Sequence, residues 1–123
     1  MEKLIVILMN ARTVFHLLHL RTKSLAKHLA LGELYDNLNE SIDTLAEQYQ
    51  GSGEAVLLEI DAIPALSGIL AYEPLAAVEE LLTAVEGMRG NLGTDDPSLL
   101  NTFEETVRLI QRGRYKLQHL NQL

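Results

Sequence analysis

The chain has 123 residues, no cysteine and a formal charge of −7. That length fits a single domain over residues 1–123, and the absence of cysteine excludes disulfides and thiolate zinc sites. The acidic balance, with basic clusters only at 21–27 and 112–116, argues against nucleic acid as the main partner.

The first predicted helix runs from Leu4 to about Leu20, with Leu4, Leu8, Ala11, Phe15 and Leu18 alternating in steps of four and three. Its opening run, residues 4–9, is apolar almost all round, which an oligomer contact would explain. Six apolar residues are too few to span a bilayer and no signal-peptide cleavage pattern follows them. A cytoplasmic protein with no membrane partner is therefore expected.

The second predicted helix covers about Ser24 to Gln50, with Ser24 as its cap and Gly51 to Gly53 as its stop. Its apolar stripe is Leu31, Tyr35, Leu38, Ile42, Leu45 and Tyr49. Beside that stripe lie His28, Gly32, Asp36, Glu40, Asp43 and Glu47, a mostly acidic band of the kind that ordinarily faces water. Residues 54–72 are apolar without clean periodicity and are broken by Pro64 and Gly68, so they read as a long crossover holding a short helix.

A third helix is expected from Glu73 and Pro74 to a stop at 91–93, with Leu75, Val78, Leu82, Val85 and Leu92 on one side. Asp96 and Pro97 signal the start of a fourth, whose stripe is Leu100, Phe103, Val107, Ile110 and Leu117. Gly113 inside it marks close packing, and Tyr35, Tyr49, Phe103 and Tyr115 are expected as core aromatics. Helices joined short, long and short describe an all-α, ferritin-like four-helix bundle whose long crossover lies between helices 2 and 3.

The chemistry-bearing residues are few. There is no Glu-x-x-His, so the usual diiron site inside such a bundle is excluded, and no Gly-rich phosphate loop or supported Ser-His-Asp arrangement occurs. The remaining candidates are His16, His19, His28, Asp36, Asp43 and Glu47, a mixture of imidazole and carboxylate suited to iron, zinc or manganese. His119, in the last turn of the fourth helix, is explained by the helix dipole. His28 and Asp43 are separated by about 22 Å along one helix, too far for a single ion. A site using both requires a second, antiparallel copy of the helix, and hence a twofold homo-oligomer.

Residues 16–47 resemble the first two helices of the Dps-type miniferritins, whose ferroxidase ligands follow His-x11-His-x3-Asp-x10-Asp-x3-Glu across a twofold axis. His16, His28, Asp43 and Glu47 fall on that spacing, while the intermediate aspartate is Gly32 and the tryptophan after the first histidine is Leu17. Residues 93–120 resemble that family's last helix in their opening Gly-Thr-x-Asp and leucine rhythm. In a second register His19 replaces His16, and residues 19–36 then look like small ferritin-like proteins encoded by bacteriophages. The resemblance implies an inter-subunit iron site between His28 with His16 or His19 of one chain and Asp43 with Glu47 of its partner. The alternative is a bundle without the metal site that acts as an oligomeric interaction or regulatory protein, with a protein partner. Catalysis is left open between them. No lysine-rich tail precedes the first helix, so DNA protection is not implied.

Overall fold

The computed structural model describes residues 1–53 and 73–121, which form four helices and no strand among the described residues: α1 (Glu2–Arg21), α2 (Leu25–Gly51), α3 (Pro74–Glu86) and α4 (Pro97–Asn121). The expected crossover and its short helix lie outside the described residues. Helix starts follow local chemistry. The Ser24 hydroxyl accepts from the Lys27 amide at 3.2 Å, and the Glu73 carboxylate accepts from Leu75 and Ala76 at 3.2 and 2.8 Å. Asp96 accepts from the Ser98 amide at 2.8 Å. Each side chain satisfies amides that the first turn leaves without a partner, and Pro74 and Pro97 need no such partner.

Hydrogen bonds between helices fix their directions. Arg12 of α1 donates to Asn39 of α2 at 3.0 Å, and Thr102 of α4 donates to Gln48 of α2 at 2.7 Å, while Lys116 pairs with Glu33. Thus α2 runs antiparallel to both α1 and α4. The Met1 amino group donates to the Leu92 carbonyl at 2.5 Å, just past the end of α3, and Pro74 at the start of α3 borders a cleft with Leu18 and Thr22 at the end of α1. So α1 and α3 are antiparallel, and α2 and α3 run the same way. Burial lowers the Met1 amino group below its ordinary value, against an opposing pull from Glu2. Packing follows the cycle α1, α2, α4, α3.

The core is built from Leu4, Leu8, Phe15, Leu31, Leu38, Ile42, Val78, Leu81, Val85, Phe103, Val107 and Ile110, all buried. Full burial of side chains this large contributes about 1.5–3 kcal/mol each before entropy is counted. Leu4, Ile5 and Leu8 are buried and Ile7 and Met9 pack against them, so the apolar opening of α1 is largely accounted for within one chain. The whole of α1 is long and apolar enough to cross a bilayer, with a mean hydropathy of 1.3, but many of its apolar side chains serve the core. Gly113 is a notch for α2: a Cβ there would lie 2.9 Å from Cδ1 of Leu34.

Three expectations require correction. Helix α3 has 13 residues and stops at Glu86, because a turn begins at Gly87 and continues through Gly90 and Gly93, which have φ of +88° and +73°. Leu92 therefore reaches the core from a turn. In α4 the first buried leucine is Leu99, one turn before Phe103, and Leu100 is 39% exposed. Tyr115 is 60% exposed and stands beside His119, not in the core.

A candidate histidine site at the corner of α1 and α2

The three-residue link between α1 and α2 brings the last turns of one helix against the first turns of the other. His19 sits two residues before the end of α1 at Arg21, and His28 sits one turn into α2. Nδ1 of His19 lies 2.6 Å from the His28 carbonyl, and Nδ1 of His28 lies 2.8 Å from the His19 carbonyl. A carbonyl can only accept, so both Nδ1 atoms carry hydrogen, and in the neutral rings both Nε2 atoms hold the lone pair. The two rings stack with centroids 3.6 Å apart and planes inclined by 21°. Each histidine thus bonds the backbone of the other while covering its ring.

Gly32 explains how the rings fit. A Cβ at that position would stand 3.0 Å from Cε1 and 3.2 Å from Nδ1 of His19. The glycine is the seat of the His19 ring, on a helix face one turn beyond His28. In the fold that place is filled by imidazole. His16 takes a different neighbour, stacking on Tyr35 with centroids 4.4 Å apart, and the same Tyr35 meets His19 edge-on at 5.2 Å. Tyr35 is consequently half-buried between two histidines, a role its place on the apolar stripe did not reveal.

The acidic candidates lie elsewhere. Asp36 borders an open cleft with Arg12, Thr13, His16, Tyr35 and Asn39. Asp43 and Glu47 are exposed on α2, about 22 and 28 Å from His28 along the uninterrupted helix. Histidines and acids are therefore not brought together within one chain: among the described residues no three His, Asp or Glu side chains converge on a point where an ion could sit. His119 donates from Nδ1 to the Tyr115 carbonyl at 2.9 Å, so Nδ1 is also its protonated nitrogen.

The sequence pattern singled out neither Arg12 nor the structural use of Gly32, and it assigned Tyr35 to the core and not to the histidines. The available signal for Gly32 was a glycine inside a long helix, one turn after a histidine and across a short link from another.

No curated protein and no solved structure matches the chain. A family of unknown function, DUF5856, matches residues 19–117, a span that starts at His19 and contains His28, Gly32, Asp36, Asp43 and Glu47 but not His16. That match covers most of the 123 residues, and the chain belongs to the DUF5856 family.

Proposed function

We propose that this protein is a ferritin-like helical bundle that works as a non-catalytic, oligomeric interaction module in the cytoplasm. The observation that carries this reading is His19 seated over Gly32. Even a Cβ in that position would stand 3.0 Å from the ring, so the corner favours imidazole packing over a further carboxylate ligand. The helix cycle α1, α2, α4, α3, with α2 and α3 parallel, supports the ferritin-like assignment, since one long crossover gives that arrangement. Sedimentation and an anaerobic Fe(II) titration test the reading together. A discrete multimer with no stoichiometric iron is expected; iron held tightly at a fixed ratio would overturn it.

A second reading has one observation in its favour. Nδ1–H donated to a backbone carbonyl is the arrangement that orients a ligating histidine and leaves Nε2 for the metal. On that reading iron bridges two copies, held by His28 and His16 or His19 of one and by Asp43 and Glu47 of the other, with Asp36 nearby. Asp43→Ala and Glu47→Ala would then abolish iron binding without loss of helix content, and binding that survives both changes would dismiss the site.

A further inference from the structure

We propose that the corner joining α1 to α2 docks on an anionic lipid surface, with its leucines entering the interface and its lysines meeting the phosphates. This goes beyond the interaction-module reading and departs from the sequence expectation of no membrane partner.

Six large apolar side chains are exposed among the described residues, and four of them, Leu17, Leu20, Leu25 and Leu29, belong to this corner. Leu20, Leu25 and Leu29 are 66%, 72% and 63% exposed, far more than a buried stripe tolerates. Lys23 is exposed between them and Lys27 is half-exposed. Just behind, Lys27, Arg21 and Thr22 border an open cleft with Leu18 and Pro74. The nearest acid of α3, Glu73, is turned onto the amides of its own helix, and Glu33 is engaged by Lys116.

Among the acids, Glu79 and Glu80 stand one to two turns along α3 from the corner, and others lie farther off. Asp43, Glu47, Asp95 and Asp96 cluster toward the opposite end of a 27-residue α2, which is about 40 Å long. Screening acts over about 8 Å at physiological salt, so an anionic surface approaching the corner meets the local cations.

A second copy of this chain does not fit the same surface. Corner against corner would bury the leucines but oppose lysine to lysine. Corner against the far end would satisfy the charges, but Leu100 is the exposed large apolar residue described there, leaving the four leucines against carboxylates. The corner needs a partner that is apolar and anionic at once. Leu17 and Leu29 stand about one turn above the tip, about 5 Å, within the depth to which interfacial helices insert.

The test is co-sedimentation of the full chain with vesicles of phosphatidylcholine alone and of phosphatidylcholine mixed with phosphatidylglycerol. Binding to the mixed vesicles only, weakened by salt, is expected. The variant L20S/L25S/L29S should lose at least about tenfold in affinity, and K23E/K27E about fivefold or more per lysine, with helix content unchanged by circular dichroism. Absence of binding to the mixed vesicles, or binding indifferent to both variants, overturns the proposal. So does binding of a DNA duplex or an acidic peptide in place of vesicles. Should the serine variant fail to fold, L25S alone keeps the test open, because Leu25 is the most exposed of the four. Oligomeric mass and iron content judge the preceding reading, and vesicle binding judges this one, so either can fail alone.

Discussion

The two hairpins of the bundle are closed by opposite means. Between α1 and α2 the link is short and the helix ends are locked by half-buried imidazoles that bond each other's backbone at 2.6 and 2.8 Å. Between α3 and α4 the link is a glycine-rich turn, and the nearest side-chain tie is the forked pair of Arg89 with Glu104, at 2.9 and 2.6 Å, open to solvent on both sides. Arg89 also lies 5.4 Å from the Phe103 ring centre. The first closure depends on shape and hydrogen-bond direction, which water does not weaken when the groups are packed. The second depends on charge in a high-dielectric setting, where exposed pairs contribute little. Strength at a hairpin thus follows burial of the tie, not its formal charge.

Gly32→Asp should break the contrast most. The new side chain must displace the His19 ring, and we expect a loss of about 2 kcal/mol, read as a clear fall in thermal midpoint. An unchanged midpoint would mean that the ring does not sit in the notch. Next in size is a change of sign. Gly32→Ala should be neutral or harmful in the native background, but stabilising by about 1 kcal/mol once His19→Ala has emptied the seat, because alanine is the better helix former. A double-mutant cycle in urea measures it, and additive effects would count against contact between the two positions.

At the other hairpin, Arg89→Ala should shift the midpoint far less than Gly32→Asp, and the small shift should vanish at high salt. A loss as large as that of Gly32→Asp would reverse the ranking of the closures. The smallest effect is in acid. The hydrogen bond from Arg89 holds the Glu104 carboxyl below its ordinary value of 4.5 and holds the guanidinium above its own. A carboxyl lowered by folding contributes stability that is complete above its unfolded value and is lost as pH falls through the folded one. Denaturation curves of the parent and of Glu104→Gln should therefore converge below pH 4.5 and separate slightly above it. Separation that grows in acid would show the opposite linkage.

Periodicity made most of the fold legible. The stripes of α1 and α2 and the starts at Ser24, Pro74 and Pro97 could be read directly, since spacing and caps act locally. The reading lost accuracy where two neighbouring residues fit the same phase. Leu99 and Leu100 stand four and three positions before Phe103, and only packing against α2 and α3 selects Leu99. Leu92 satisfied the α3 period but belongs to a turn, because the helix ends at Glu86 and positive φ at Gly90 bends the chain before Leu92. Tyr115 was assigned inward from its type, though Ile110 and Leu117 already complete the buried phase of that region.

The candidate site was legible as a set of residues but not as a set of contacts. Spacing along α2 separated His28 from Asp43 correctly, because helix rise is constant. The meeting of His19 with His28 and of His16 with Tyr35 depends on how α2 is rotated against α1, and that rotation is set by Gly32 and by the length of the link. No single-helix pattern contains it.

The reciprocal histidine lock also restricts the routes by which this corner can change. Each ring is donor to one backbone and cover for the other ring, and the His19 ring relies on the missing side chain at position 32. Replacing one member leaves the others with a role they can no longer fill, so His19, His28 and Gly32 form an epistatic unit. Descendants that alter the corner should do so by compensated steps, with the glycine free to acquire a side chain only after the His19 ring has gone.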